Sequence, residues 1–358
     1  MSAQAGWPAS EPVTLAVEGL HVSFRTPDGI VRAVRGASFE VQAGATLGIV
    51  GESGSGKSVS MLTLLGLTSA AEVSGTALFR GRDLLAMSED ELRRVRGAQI
   101  SMIFQDPLTS LHPHYRIGRQ IAEAVRAHEK ISRAAARSQA VELLGTVGIP
   151  RASQRADDYP HQFSGGMRQR AMIAMALALR PALIIADEPT TALDATVEVQ
   201  ILQLLQQVQR EYQTALIMIT HDLGVIAGMA DTVTVMYAGR PVEIADRRTI
   251  YRSPRHPYTR GLLGSVPGAR GAIKQRLTPI PGQPPSLIRL PRGCPFHPRC
   301  PLAMQHCREE EPPLLEVGAP GQRSACWRAA ELDAGEHGLL FVPQQMSGEV
   351  SDVREGGR

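Results

Sequence analysis

The sequence predicts an α/β protein built on a mostly parallel sheet covered on both faces. Short apolar runs at residues 45–50, 182–186 and 215–219 have the length and composition of buried strands. The stretches at 59–67 and 196–212 carry helical patterns, and strands and helices alternate along the chain. At 358 residues, 43% of them hydrophobic, the chain can form two modest domains or one large domain with an appendage.

The chain enters through β-favouring runs at 13–24 and 31–41. Pro27-Asp28-Gly29 between them is a turn signal, so an antiparallel hairpin is expected. The 45–50 strand ends at a glycine, and a helix at 59–67 follows the loop after it. Residues 107–158 are mostly helical in pattern, with 121–127 and 134–147 as distinct pieces. Beyond Gly264 prolines crowd between Pro267 and Pro301, and the cysteines begin. These shifts divide the chain into a main domain at 12–250 with a helical subdomain at about 107–165, a small appended domain at 251–330, and a tail at 331–358. The tail is rich in Gly, Glu and Ser, a composition that predicts disorder.

The charge is nearly balanced, with 38 basic and 35 acidic residues, so nucleic acid is not expected as a partner. Residues 1–11 lack the basic start and apolar run of a secretory signal, which predicts a cytoplasmic chain. No apolar run reaches the roughly 18 residues needed to span a bilayer, so any membrane role is expected to be peripheral. All four cysteines fall in the last quarter, and in a reducing compartment clustered thiols suggest metal rather than disulfides.

Lysine occurs only at Lys57, Lys130 and Lys274, and the first of these completes Gly51-Glu52-Ser53-Gly54-Ser55-Gly56-Lys57-Ser58. This is a G-x-x-x-x-G-K-[ST] phosphate loop between an expected strand and an expected helix. Its glycines let backbone amides turn inward around phosphate oxygens, and the helix N-terminus adds positive potential. Lys57 is placed to reach the β- and γ-phosphates and the Ser58 hydroxyl to ligate Mg²⁺. Downstream, Ser164 in Phe163-Ser164-Gly165-Gly166-Met167 is positioned to cap a helix, which would make a second amide-rich anion site. The strand Leu183-Ile184-Ile185-Ala186-Asp187-Glu188 ends in two carboxylates, suited to metal binding by Asp187 and water activation by Glu188. Strand alternation is expected to aim the two apart.

In this order the motifs resemble the nucleotide-binding subunits of ATP-binding-cassette (ABC) transporters, over residues 13 to about 239. The resemblance implies a cassette with an antiparallel β subdomain and a helical subdomain. It implies that Gln105, in Ile103-Phe104-Gln105-Asp106, touches Mg²⁺ and relays nucleotide state to the membrane partner. Ser164, Gly165 and Gly166 correspond to the signature that closes a partner's ATP site, and Asp194, in Thr191-Ala192-Leu193-Asp194, to the loop across the dimer interface. His221, in Ile219-Thr220-His221-Asp222, matches the switch histidine on the γ-phosphate. Phe24 stands where the family places an aromatic on adenine, though it equally suits a hydrophobic core. The signature departs from the commonest form at Phe163 and Met167, but its Ser-Gly-Gly is intact.

The text Tyr251-Arg252-Ser253-Pro254-Arg255-His256-Pro257-Tyr258-Thr259, then Leu277-Thr278-Pro279-Ile280-Pro281-Gly282, resembles the C-terminal extension of oligopeptide, dipeptide and nickel import ATPases. That resemblance implies a heterodimer with a second, non-identical cassette, two integral membrane permeases, and indirect service to an extracytoplasmic binding protein, at the cytoplasmic face of the membrane. The spacing Cys294-x5-Cys300-x6-Cys307-x18-Cys326 uses every cysteine and suits either zinc or a [4Fe–4S] cluster. The peptide-importer resemblance favours the cluster. Nickel or opine import, and a non-transport cassette ATPase, are the competing expectations.

Overall fold

The computed structural model describes residues 13–191, 193–265 and 280–332, and the expected tail lies outside them from residue 333 onward. Strands β1 (Val13–Thr26) and β2 (Gly29–Gln42) form the expected hairpin, closed by the Thr26–Gly29 pair. β3 (Thr46–Val50) feeds the phosphate loop and helix α1 (Lys57–Leu64). That helix stops short of the sequence expectation. Gly66 adopts a left-handed φ of 62°, and the Gly66 and Leu67 amides donate back to the Thr63 and Leu62 carbonyls, a glycine-dependent C-terminal cap.

β4 (Ala71–Phe79) pairs with the free edge of β1, and the two-residue β5 (Arg82–Asp83) follows it. No expectation covered β4, because only Ala77 and Phe79 of it are buried and its exposed letters read as a loop. α2 (Glu89–Val95), capped by Ser88 with Glu91 reciprocating, leads to β6 (Ile100–Ile103). Five helices occupy the stretch that follows: α3 (Pro107–Ser110), α4 (Ile117–Arg126), α5 (Arg133–Thr146), α6 (Ala152–Arg155) and α7 (Gly165–Ala176). Then come β7 (Leu183–Asp187), α8 (Ala195–Tyr212), β8 (Ala215–Thr220), α9 (Leu223–Ala227), β9 (Thr232–Tyr237) and β10 (Arg240–Asp246). α10 (Arg247–Arg252), α11 (Pro257–Gly264), α12 (Gln305–Glu309), β11 (Leu315–Glu316) and β12 (Arg323–Ser324) complete the chain.

Two sheets result. The smaller is antiparallel, in the order β2-β1-β4-β5; the larger runs β11-β12-β10-β9-β3-β8-β7-β6 and is parallel from β9 to β6. β3, β7 and β8 are buried along their whole length, as strands covered on both faces must be. Alternate residues serve different cores. Leu47, Ile49, Leu183, Ile185, Ile217 and Ile219 pack toward the antiparallel sheet and α1. Ile184, Ala186, Leu216 and Met218 pack toward the helices. One cover is therefore a second sheet, not a second helical layer.

The C-terminal segment joins this architecture directly. β12 pairs with β10, and Phe296, Cys294 and Cys300 pack on the same core as the helical face. Glu243 of β10 is fully buried and accepts hydrogen bonds from the Arg255 amide (2.6 Å), the His256 amide (3.0 Å) and the Gln322 side chain (3.0 Å). Burial outweighs those donors and pushes its carboxyl up to about 7. The folded state thus binds this proton more tightly than the unfolded chain does. Its stabilising contribution is full at low pH and is lost as pH rises from about 4.5 through about 7. Denaturant unfolding across that window should show a downward component of stability that Glu243→Gln abolishes; parallel pH profiles for the two proteins would refute it.

Candidate functional site

The phosphate loop bridges the ends of β3 and α1. Gly54 and Gly56 take φ values of 76° and 96°, a region that L side chains rarely adopt. A Cβ on Gly56 would lie 2.3 Å from the Ala33 carbonyl oxygen, and one on Gly51 2.2 Å from that of Met236, so neighbouring backbone presses on the loop from two directions. The Gly239 amide donates to the Ser55 carbonyl at 3.1 Å, holding the loop to the turn after β9.

Lys57 lies almost fully buried beneath the loop. Its Nζ donates to the Gly51 carbonyl (2.7 Å), the Glu52 carbonyl (2.9 Å) and Ser55 Oγ (3.4 Å). Burial lowers its pKa, while the carboxylates of Glu188, Asp187 and Glu52 act to raise it. An incoming phosphate would add negative charge to this same pocket and favour the ammonium form. Ser58 Oγ donates to Asp187 Oδ1 at 2.8 Å, joining the first turn of α1 to the end of β7. Asp187 is pushed up by burial and by Glu188, against the opposing pull of Ser58 and Lys57. Ser58 and Asp187 are thus side by side as oxygen donors for a hard cation such as Mg²⁺.

Glu188 collects three partners from three loops. Gln105 Nε2 donates to its Oε2 at 3.0 Å, Thr191 Oγ1 donates to the same oxygen at 2.9 Å, and His221 Nδ1 stands 3.4 Å from Oε1. β7 ends at Asp187, and Glu188 itself takes a left-handed φ of 46°. What aims the two carboxylates apart is therefore this backbone turn and not the pleat alternation expected from sequence. Such a conformation costs a non-glycine residue about 1–3 kcal/mol. The Glu188 amide anchors it by donating to the Ile219 carbonyl at 2.9 Å.

Ser164 caps α7 as expected, its Oγ accepting from the Met167 amide at 3.4 Å, with Gly165 and Gly166 opening the helix. A Cβ on Gly166 would come within 2.6 Å of the Val197 side chain. Asp194 caps α8, accepting from the Thr196 and Val197 amides at 3.1 and 3.0 Å. Phe24 is half-buried and packs on the core beneath the antiparallel sheet.

Two residues of the C-terminal segment, Arg299 and Tyr258, meet the loop, a contact that neither motif nor spacing marks. Arg299 donates to both oxygens of Glu52, at 2.6 and 2.9 Å, and the Glu52 amide donates to the Tyr258 hydroxyl at 2.8 Å. The 247-residue separation of Arg299 from Glu52 put the pair beyond any local pattern.

The four thiols are free and line one small cavity together with Phe296, Trp327 and neighbouring side chains. Burial pushes Cys294 and Cys300 up to about 11 and Cys326 up to about 12, so these sulfurs are thiols near neutral pH. Among the described residues, no group of three or more His, Cys, Asp or Glu side chains is arranged to hold a metal ion. The expected metal ligands thus share a cavity without forming a coordination set.

Residues 34–191 match the ABC transporter family model, and residues 242–307 match the C-terminal region of oligopeptide/dipeptide transporters. The oligopeptide transport ATP-binding protein OppD of Salmonella typhimurium is 53% identical over 92% of this chain and 97% of its own length. The chain belongs to the ABC transporter ATP-binding subunits. The dipeptide transport ATP-binding protein DppD of Bacillus subtilis, another subunit of this family, is 49% identical over 94% of this chain and 99% of its own length. A solved dimeric ATP-binding cassette in a post-hydrolysis state, bound to ADP and Pi, aligns with a TM-score of 0.59 at 25% identity, covering 65% of this chain and 99% of that one. The protein is accordingly an ATP-hydrolysing transport subunit with the cassette fold. No helix among the described residues is long and apolar enough to cross a membrane. Gly56→Ala should displace the loop against the Ala33 carbonyl and strain a left-handed position. We expect Mg–ATP binding to fall at least about tenfold while the thermal midpoint drops only modestly; an unchanged nucleotide affinity would contradict this geometry.

Proposed function

We propose that the chain powers peptide uptake by binding and hydrolysing ATP in a composite site shared with a second, non-identical cassette. The observation that carries this reading is the convergence of Gln105, Thr191 and His221 on Glu188, beside the joined Ser58–Asp187 pair. Lys57 and the amides of Ser53, Gly54, Ser55 and Gly56 bind the phosphates. Ser58, Asp187 and Gln105 hold Mg²⁺, which when bound neutralises charge on the transferred phosphoryl group. Glu188 accepts the proton of the attacking water, and His221 orients Glu188 and contacts the γ-phosphate. Ser164, Gly165 and Gly166 close the site of the partner cassette, with Asp194 at the interface between the two and Phe24 at the adenine edge.

ATP then stabilises the closed pair and hydrolysis releases it, a ligand-biased two-state motion. An apolar groove of about 370 Å³ supports the membrane coupling. It lies beside Gln105 and is lined by Phe104, Met102, Ala124, Met172 and Met175, so a permease segment docked there would sense the Gln105–Glu188 contact. The peptide cargo follows the oligopeptide and dipeptide transport relatives and the matching C-terminal region. We assign residues 12–250 to the cassette and 251–330 to the importer extension, and the subunit to the cytoplasmic face of the membrane.

The four clustered thiols are proposed to hold a [4Fe–4S] cluster, with zinc the alternative. Their common cavity and the absence of other cysteines support a shared ligand, which would require them to deprotonate and close together.

Glu188→Gln should retain ATP yet lose turnover by a factor of about 10² or more; ATP hydrolysis at the wild-type rate would overturn the assignment. An anaerobically purified assembly should contain two permeases, a second cassette, and iron with acid-labile sulfide at four atoms per cluster. Zinc without sulfide would select the alternative, and neither metal would remove the ligand.

A further inference from the structure

The phosphate loop is held by the C-terminal extension at both ends of one residue. Glu52 is the second residue of the loop, and its carboxylate lies among groups whose task is to receive a polyanion. Arg299, almost fully buried, takes both carboxylate oxygens. Its remaining contacts lock the guanidinium in place: Nε donates to the Pro281 carbonyl at 2.9 Å, and the Tyr237 hydroxyl lies 3.4 Å away. Burial opposes the Arg299 charge, but Glu52 and Tyr237 outweigh it, and its pKa lies above the usual guanidinium value. The Tyr258 hydroxyl, at the buried start of α11, accepts from the Glu52 amide, so that amide is committed to holding the loop and not to a phosphate. Tyr237, Tyr258 and Phe296 pack ring against ring at centroid separations of 4.6 to 5.4 Å, giving both contacts a rigid support.

We infer that Arg299 and Tyr258 are positioning residues of the nucleotide site, so that the extension completes the phosphate loop and is not merely appended to the cassette. This rests on the ATP reading of the loop. Arg299 does two things for it. It cancels a carboxylate that would otherwise repel the phosphates in a poorly screened site, and it holds the Glu52 side chain against the extension. Tyr258 fixes the same residue through the backbone. Arg299 lies on the tight turn between Cys294 and Cys300, so the thiol-bearing segment contacts Glu52 directly.

The test compares Mg–ATP affinity, by titration with a fluorescent nucleotide, in the full chain and in Arg299→Gln, Glu52→Gln, the double variant and Tyr258→Phe. Arg299→Gln strands the carboxylate beside the phosphates and should weaken binding by about tenfold to a hundredfold. Glu52→Gln should cost less. The double variant should bind better than Arg299→Gln alone, since the repelling charge is gone; a merely structural loss would move the thermal midpoint in step with the affinity. Tyr258→Phe, missing one oxygen, should weaken binding several-fold with a folded chain, and it carries the test should Arg299→Gln fail to fold. Wild-type affinity in Arg299→Gln, a double variant that binds no better than Arg299→Gln alone, or a silent Tyr258→Phe overturns the proposal while wild-type binding persists. A wild-type chain that binds no Mg–ATP overturns the ATP reading and this inference with it.

Discussion

The parallel register of β3, β8 and β7 is the constraint on which the site depends. Val50 pairs with Thr220, and Ile219 with Asp187, so three strands end level and release their chains at one edge of the sheet. Buried on both faces, these strands have no polar surface of their own, and the first polar groups appear where they stop. The phosphate loop, the Asp187–Glu188 pair and the Thr220–His221 turn are those three exits. A ligand with many charged oxygens can be met there by backbone amides and side chains from separate parts of the chain.

Electrostatics at this edge centres on Lys57, with Arg299 pairing Glu52 beside it. Lys57 is, among the described residues, the lone lysine there, desolvated, and resting on loop carbonyls whose place phosphate oxygens can take. Asp187 beside it is held partly by Ser58. The strained Glu188 is steadied by Gln105 and Thr191 on one oxygen and faced by His221 on the other. Its three partners come from three different connections, so a change at the nucleotide moves contacts in each. One of those connections, through Phe104 next to Gln105, borders the apolar groove.

The extension is physically part of the cassette. Its last strands lengthen the central sheet, its aromatic residues share the core, and the ion pair of Arg35 with Glu311 at 2.6 Å ties it to β2. Glu243 marks how tightly the junction is closed: a carboxyl with no exposed surface is met by the Arg255 and His256 amides and by Gln322, all from the added segment. The Arg299–Glu52 contact extends that junction to the phosphate loop itself.

The motifs of the nucleotide site were legible in the letters because each is a local solution. A loop that exposes amides needs glycines at fixed offsets, a cap needs Ser164 just before its helix, and a buried strand reads as an apolar run that ends in its functional carboxylates. β4 was illegible because only Ala77 and Phe79 of it face the core, too few apolar positions to mark an alternation. The aim of Glu188 was illegible because a single left-handed residue leaves no mark in a sequence without glycine there. The sequence by itself determined the chemistry: the phosphate loop, the carboxylates, the histidine and the four thiols, with the strand–helix alternation that carries them. Only the tertiary structure decided that the antiparallel sheet covers one face, that three loops meet on Glu188, and that Arg299 and Tyr258 hold Glu52. Those contacts join residues far apart in the chain, and their partners are chosen by packing and register, which no local pattern encodes.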